Sequence, residues 1–156
     1  MNINIICVGN IKEKYLNEAI LEYKTRLSKW ASVRIVELKE EKLQKNYSQK
    51  DIELVVEKEG ERILENLKGY VVLMDINGVM LDSVGLSNKI ADIQNISSTI
   101  NFVIGGSYGT SEKVKSRADF KLSFSKMTFP HQLFRVMLLE QVYRAFTIQN
   151  NVTYHK

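Results

Sequence analysis

Cysteine and proline are almost missing from this chain of 156 residues, which holds one of each. The single cysteine, Cys7, cannot form a disulfide within one monomer, and its place in the apolar run of residues 3–8 predicts a buried structural thiol. No apolar run approaches the length of a membrane span, and the amino terminus lacks a basic segment followed by a long apolar one. These absences exclude a disulfide scaffold and a membrane-spanning protein, and they predict a cytoplasmic location without a membrane partner.

Neither sign of charge dominates the sequence. The chain has 22 Lys and Arg against 18 Asp and Glu, a net charge of +4, and its pI is near 9.1. A mildly basic chain favours an anionic partner without requiring one. Basic residues concentrate between Lys113 and Lys126, which predicts a basic face. With 44% hydrophobic residues, the chain suffices for one core, so residues 1–156 are expected to form one domain.

Strand-like and helix-like segments alternate along the chain, which is typical of an α/β fold with a mainly parallel sheet. Strands are predicted at residues 3–9, 33–38, 70–74, 100–104 and 120–124. Apolar residues at helical spacing predict helices from Leu16 to Trp30, after a cap at Ser48, from Ser83, after a cap at Ser111 and over residues 131–148. The charged stretch 39–50 is expected to be a loop, and the polar tail 149–156 shows no helical pattern.

Three predicted strand ends in the second half carry unusual residues, at 75–78, 104–109 and 123–131. Ligands of parallel sheets bind beyond the carboxyl ends of the strands, so the three loops together predict one pocket. Taken alone, Asn77-Gly78 instead favours a simple hairpin turn. Pro130 stands where the longest helix begins, a position that suits its fixed φ and missing donor.

The glycine loop of residues 105–109 fits one catalytic motif and fails two others. Ser107 occupies the place of the second glycine in the dinucleotide-binding pattern G-x-G-x-x-G, and the chain has no phosphate-loop Gly-Lys-Ser/Thr. The loop does match G-x-S-x-G of the α/β hydrolases, and Asp119 and His131 follow in triad order. A serine hydrolase using Ser107 is therefore an alternative, and Ser107→Ala would remove its nucleophile. A noncatalytic RNA-binding dimer is the alternative outside enzymes.

The long helix carries a broad apolar surface together with charged residues. Its apolar residues at four-residue spacing predict burial on more than one side, with a second subunit as one possible neighbour. Arg135 lies among these apolar positions. Glu140 and Arg144 are one turn apart, which is compatible with an ordinary ion pair, with a cationic site for RNA phosphate or with a catalytic acid–base pair.

Taken together, several segments closely resemble the RlmH family of SPOUT methyltransferases. They span nearly the whole chain and are Val8-Gly9, Lys12–Tyr15, Asp75–Gly78, Phe102–Gly106, Leu122–His131, Leu139–Ala145 and Tyr154–Lys156. The resemblance implies methylation of N3 of a pseudouridine in large-subunit ribosomal RNA of the assembled ribosome, with S-adenosylmethionine as donor. It also implies a homodimer of single-domain SPOUT subunits, each with a carboxyl-terminal trefoil knot that general topology rules would discard.

The resemblance also implies where the donor would bind. Its contacts would be Leu73, Met74, Gly105, Gly106, Phe124, Ser125, Lys126, Met127, Thr128 and Phe129. Glycine allows a ligand to approach the backbone closely, and no metal is expected. Gly105→Leu and Thr128→Trp are both expected to fill this pocket without disturbing the core.

The acceptor nitrogen bears a proton, so a positioned base or a water relay would make it a competent nucleophile. Glu140, His155 and His131 are the candidates for this base, and the sequence does not choose among them. Arg144 and Tyr154 would orient the uracil carbonyls. A free polar tail is commonly disordered, but Tyr154 and His155 combine a stacking surface with an imidazole that can donate or accept a hydrogen bond. We therefore expect the tail to close over a flipped base.

Overall fold

The computed structural model describes the whole chain, residues 1–156. Strands and helices alternate along it, as predicted, and every predicted strand is present. The elements are β1 (Asn2–Val8), α1 (Lys14–Leu27), β2 (Ser32–Leu38), α2 (Gln49–Glu65), β3 (Tyr70–Met80), α3 (Ser83–Gln94), β4 (Thr99–Ile104), α4 (Glu112–Arg117), β5 (Phe120–Ser123) and α5 (His131–Gln149). None of these helices is long and apolar enough to cross a membrane.

The five strands form one parallel sheet in the order β2-β1-β4-β3-β5. Helices cover both faces, which explains why the central strands are apolar on both sides. One face packs against α1, α3 and α5 in a core that contains the buried Cys7, and the other packs against α2 and α4 in a smaller core. Burial raises the pKa of the Cys7 thiol to about 11, in agreement with the predicted structural role. Because all strands run the same way, their carboxyl ends meet at one edge of the sheet.

The interpretation of Asn77-Gly78 as a hairpin turn is wrong. β3 continues through it to Met80 and stays paired with β5, but a bulge between Met74 and Val79 interrupts the register. The Asp75 carboxylate accepts a hydrogen bond from the Asn77 amide at 2.8 Å, which stabilises the bulge locally. A Cβ atom on Gly78 would lie 2.7 Å from the backbone of β5. The glycine is therefore required by close strand packing rather than by a turn.

The predicted start of α3 at Ser83 is confirmed, whereas the predicted end of α1 needs correction. Asp82 caps α3, because its carboxylate accepts the Gly85 amide at 2.6 Å, and Ser83 is the first helical residue. α1 ends at Leu27, so Trp30 lies beyond the helix, where its ring stacks on Phe146 at 6.2 Å. The predicted caps are confirmed at Ser48, which forms a capping box with Asp51, and at Ser111.

The predicted basic face between Lys113 and Lys126 is largely neutralised by ion pairs. Lys113 pairs with Glu57, Lys115 with Glu112, and Arg117 with Asp119. Helical spacing brings Glu112 into reach of Lys115. Glu57 comes from α2, and Asp119 follows the end of α4. Lys121 and Lys126 are the cations of this segment that form no ion pair.

Candidate functional site: a cavity at the carboxyl edge of the sheet

A cavity of about 490 Å³ lies at the carboxyl ends of β3, β4 and β5. Its volume is within the range of small-molecule sites. The three loops predicted to form one pocket all line it, with residues 74–77, 104–110, 122–125 and 127–129. Lys115, His131 and Phe134 complete the lining. The sheet topology thus brings together segments that lie up to about fifty residues apart in the chain.

Eight of the ten residues implied as donor contacts line this cavity. They are Met74, Gly105, Gly106, Phe124, Ser125, Met127, Thr128 and Phe129. The two exceptions are Leu73, which is fully buried in the smaller core on the other face of the sheet, and Lys126, whose side chain is exposed outside the cavity. Successive residues of a strand point to opposite faces, which is why Leu73 and Met74 differ.

Aromatic rings form one wall of the cavity. The Phe134 ring contacts Phe124 at a centroid distance of 5.1 Å and stacks with Phe129 at 6.1 Å. The adjoining loop is shaped by the Ser125 hydroxyl, which accepts the Met127 amide at 3.0 Å. Apolar rings beside a polar loop give a surface that fits a ligand with a planar base and polar substituents.

The glycines of the cavity are required by the packing of their own loop. A Cβ on Gly106 would overlap the Glu59 carboxylate, which lies beneath the loop, and a Cβ on Gly105 would lie 2.6 Å from the Thr110 methyl group. Gly105→Leu would therefore disturb the loop itself as well as fill the pocket. Thr128 is exposed at the cavity, so Thr128→Trp remains the cleaner substitution.

Four of the five implied catalytic residues form a separate cluster near the carboxyl end of α5. Arg144 Nη2 donates to Glu140 Oε1 at 2.6 Å, and the Tyr154 hydroxyl donates to the same oxygen at 3.0 Å. The Arg144 guanidinium lies over the Tyr154 ring at 4.7 Å and 3.5 Å from His155 Nδ1. Tyr154 also contacts the Tyr143 ring edge-on at 4.8 Å. The end of the tail is thus docked on α5.

The protonation of Tyr154 follows from this packing. Burial, then the neighbouring Tyr23 hydroxyl and the Glu140 carboxylate, raise the pKa of Tyr154 to about 12. The phenol therefore keeps its proton at neutral pH and acts as a donor. Glu140 is engaged at both oxygens, because Gln141 donates to Oε2 at 2.7 Å. In this arrangement Tyr154 is a hydrogen-bond donor, and both oxygens of Glu140 accept hydrogen bonds.

The fifth residue, His131, stands apart from the cluster. It opens α5 and lines the cavity, whereas Arg144 lies thirteen residues later. At about 1.5 Å per residue, the two are separated by roughly 20 Å along the helix. Within one chain, the tail cluster therefore does not reach the part of the cavity where His131 lies.

Comparison with known proteins decides the family. Residues 1–155 match the family model described as "Predicted SPOUT methyltransferase". The chain is 54% identical to ribosomal RNA large subunit methyltransferase H of Clostridium acetobutylicum and 52% identical to the protein of that name from Clostridium tetani. Both comparisons cover 100% of each chain. The chain belongs to the RlmH family of SPOUT methyltransferases.

A solved structure supports the same fold. It is described as a probable methylase family protein from Haemophilus influenzae and superposes with a TM-score of 0.56. The match covers 99% of this SPOUT chain and 70% of that one at 13% sequence identity. At this identity the likeness concerns the fold alone.

The serine hydrolase triad is not assembled in this SPOUT methyltransferase. Ser107 lies in a tight turn closed by a hydrogen bond from the Gly109 amide to the Gly106 carbonyl, and its hydroxyl donates to Glu40 at 3.3 Å. Asp119 precedes β5 at the opposite end of the sheet, where its carboxylate accepts the Val71 amide at 2.7 Å. A triad needs direct contacts between its members.

Ser107→Ala is accordingly expected to keep most methyl transfer, since the lost group makes one long, exposed hydrogen bond. Transfer of a labelled methyl group from S-adenosylmethionine measures this directly. Wild-type protein should also resist a fluorophosphonate probe. Covalent labelling of Ser107 by that probe would restore the hydrolase interpretation.

Sequence reasoning placed Arg135 among the apolar positions of the long helix but assigned it no role. Its side chain is fully buried: Nη1 donates to Glu37 at 2.9 Å, and Nη2 donates to the carbonyls of Val8 and Gly9 at 3.0 and 2.8 Å. These bonds join the ends of β1 and β2 to the first turns of α5, directly beside His131. The available signal was its position, because Arg135 shares the helix face of the buried Leu138 and Leu139.

Glu59 is a second buried group beside the cavity. Its Oε1 accepts the Glu41 amide at 2.9 Å, while its Oε2 is buried without a hydrogen-bond partner. Burial, more than the neighbouring Glu40 and Glu41, raises the pKa of Glu59 above its ordinary value of 4.5. The folded protein therefore binds this proton more tightly than the unfolded chain does, and the group opposes folding as pH rises.

Glu59→Gln is expected to remove this dependence of the free energy of unfolding on pH. Between pH 4.5, the ordinary pKa, and neutrality, the free energy of unfolding of the wild type should fall relative to that of the variant. Urea unfolding of both proteins across this range measures the difference. Glu53→Gln, an exposed position on the same helix, is the matched control and should follow the wild type. Parallel curves for wild type and Glu59→Gln would contradict the assignment.

Proposed function

We propose that this chain methylates N3 of pseudouridine 1915 in 23S ribosomal RNA of the assembled 70S ribosome, using S-adenosylmethionine. The observation that carries the proposal is the cavity at the carboxyl edge of the sheet, lined by eight of the ten residues implied as donor contacts. The names of the full-length relatives, which call them ribosomal RNA large subunit methyltransferases, support the RNA substrate. Such a substrate would place the enzyme in the cytoplasm.

The chemistry of the cavity fits the proposed donor. The rings of Phe124 and Phe129 would pack against its apolar and planar parts, and the loop around Ser125 and Thr128 offers hydroxyl and backbone groups to its polar edges. When bound, the donor supplies a methyl group already activated on a sulfonium, so acid–base help on that side is unnecessary. The protein would align the methyl group with the acceptor nitrogen and exclude water from the cavity.

The acceptor requires removal of the N3 proton, and we propose a histidine as the base. Glu140 is held by Arg144, Tyr154 and Gln141, which leaves His131 and His155 as the proposed proton acceptors. A histidine suits this work because its ordinary pKa is close to neutrality. In this proposal Glu140 is a positioning residue, since it orients Arg144 and Tyr154 toward the uracil carbonyls.

The working form is proposed to be a homodimer of one-domain subunits with trefoil knots. Beside the donor cavity lies an apolar groove of about 540 Å³ that runs from Phe124 and Phe129 to Glu140, with eight hydrophobic residues among its twelve. Val79, Met80 and Met127 are also exposed near this edge. Exposed apolar surface of this extent favours a protein interface. Because the tail cluster lies roughly 20 Å along α5 from His131, the proposal assigns the tail of one protomer to the cavity of its partner.

Mixed dimers test the donor site and the tail together. Thr128→Trp should weaken donor binding by at least about tenfold, the effect of filling a ligand pocket, whereas Thr128→Ser should bind normally. Neither Thr128→Trp nor a chain lacking Tyr154–Lys156 should transfer methyl groups efficiently. If the tail acts across the dimer, subunit exchange between these two variants should restore about a quarter of wild-type transfer, since half the dimers then hold one complete site.

Two further measurements separate the candidate functions. Calorimetry with S-adenosylmethionine should show binding by the wild type, which a noncatalytic RNA-binding dimer or a hydrolase has no reason to show. Mass mapping of ribosomal RNA after incubation with labelled donor should locate the methyl group on the proposed pseudouridine. A different modified nucleotide would refute the substrate, and mixed dimers without activity would refute the crossing of the tail.

A further inference from the structure

Two tyrosines with exposed rings meet at the rim of the donor cavity. The rings of Tyr47 and Tyr108 are 6.3 Å apart at an angle of 67°, and 50% and 43% of their surfaces are exposed. Tyr108 belongs to the glycine turn and lines the cavity, whereas Tyr47 comes from the loop between β2 and α2. Aromatic rings left open beside a ligand cavity offer a surface on which another planar group can stack.

The loop that carries Tyr47 is anchored at its beginning by α2. Arg62 donates to the Lys39 carbonyl at 2.8 Å and pairs with the Glu41 carboxylate. The buried Glu59 accepts the Glu41 amide at 2.9 Å. The start of the loop is therefore held by three contacts with one helix.

The two rings are also fixed locally. Tyr47 immediately precedes the capping box of α2, in which Ser48 accepts the Asp51 amide and Asp51 accepts the Ser48 amide at 2.7 Å. Tyr108 sits in the turn closed by the Gly106–Gly109 bridge. Side chains on anchored backbone lose less conformational entropy when they bind.

The charges of this loop leave a positive surface. Of its two acids, Glu41 pairs with Arg62, whereas Glu40 keeps its charge and accepts a hydrogen bond from the Ser107 hydroxyl at 3.3 Å. Its exposed lysines, by contrast, take part in no ion pair; they are Lys39, Lys42 and Lys45, and the exposed Lys50 in the first turn of α2 is also unpaired. This is the opposite of the 113–117 segment, whose cations are paired. Unpaired lysines favour a polyanion.

We propose that Tyr47 and Tyr108, with the lysines beside them, form a stacking platform for an unpaired nucleobase that flanks the methylated one in the RNA substrate. The inference rests on the proposed function and adds the residues that hold the substrate. Base–aromatic stacking tolerates any base, because each has a π face, and neighbouring cations bind the phosphates. The platform adjoins the donor cavity through Tyr108, which is where a flanking nucleotide would lie.

Tyr47→Ala is the decisive variant, because Tyr47 does not line the donor cavity, and Tyr47→Phe is its matched control. With donor present at saturation, the alanine variant should show at least about fivefold weaker binding of a hairpin RNA that carries 2-aminopurine beside the loop uridine. The quenching of that fluorophore by stacking should also be lost. Its KM for ribosomes should rise by a similar factor, while donor affinity and the Tyr47→Phe variant stay at wild-type values.

The cations are tested by salt dependence. Lys45→Gln should lower the slope of log affinity against log salt by about 0.7, the value for one phosphate contact on a single strand. Lys113→Gln should leave it unchanged. The platform would be overturned if Tyr47→Ala kept the quenching, the hairpin affinity and the KM for ribosomes of the wild type. An effect of Lys45→Gln alone would also overturn it, since the surface would then bind phosphates only. Failure of the proposed function would be distinct, because the wild type itself would transfer no methyl group to ribosomes.

Discussion

Removal of Tyr154–Lys156 is expected to lower methyl transfer to ribosomes by at least about a hundredfold, the scale of lost positioning or base catalysis. The deletion removes the Tyr154 hydroxyl from Glu140, the ring beneath the Arg144 guanidinium and the His155 imidazole. Donor affinity should change little, since none of these residues lines the donor cavity. Labelled transfer to intact ribosomes and calorimetry with S-adenosylmethionine measure the two quantities separately.

Smaller changes separate the parts of the tail. Tyr154→Phe keeps the ring under Arg144 and loses only the bond to Glu140, so it should retain more transfer than the deletion. Removing Lys156 alone is the control for shortening the chain. Sedimentation should show the same association state for all variants. Near-normal transfer by the chain that lacks Tyr154–Lys156 would shift the catalytic proposal to His131 with Glu140 and Arg144.

Arg135→Met is expected to lower the free energy of unfolding by about 3–5 kcal/mol, the usual effect of removing one partner from a buried ion pair. The substitution would leave Glu37 without its cation and the carbonyls of Val8 and Gly9 without a donor. Unsatisfied buried polar groups account for much of such a loss. Urea unfolding at constant pH measures it.

Two controls distinguish burial from charge. Arg135→Lys keeps the charge but loses the planar fork that reaches Glu37 and the two carbonyls, so it should also be destabilising. Arg26→Met removes an arginine whose pair with Glu22 is exposed, and its unfolding midpoint should stay close to that of the wild type. A stability of Arg135→Met equal to that of Arg26→Met would show that the buried network contributes nothing.

Local signals predicted most of the elements, and the errors have local causes. Ser48 and Ser111 were identified as caps because their hydroxyls stand before a helical pattern. The cap of α3 is Asp82, the residue before the predicted start, and spacing alone does not say which residue caps a helix. The Asn77-Gly78 pair carries a strong turn signal, but pairing of β3 with β5 on both sides of the bulge overrides it.

The site was predictable in its composition and not in its arrangement. Three strand ends indicated one pocket because parallel strands share a carboxyl edge, and the cavity lies there. Nothing in the spacing showed that Glu59 packs beneath Gly106. Nor did it show that a Cβ on Gly105 would meet the Thr110 methyl group, which makes Gly105→Leu a poor probe. The chemistry of the acceptor made His131 a candidate base together with Glu140 and His155, whereas the structure separates His131 from the tail residues by most of α5.

By itself, the sequence determined the α/β class, the order of the elements and the loops that carry polar residues, because these depend on periodicity and on residues adjacent in the chain. Tertiary structure decided which charges are surface and which are structural. Arg135 is buried beside Glu37, the cations of residues 113–117 are paired, and the lysines around Tyr47 are not. The energy of a charge depends on its distance from others and on its exposure to water, and both are set only when distant segments pack together.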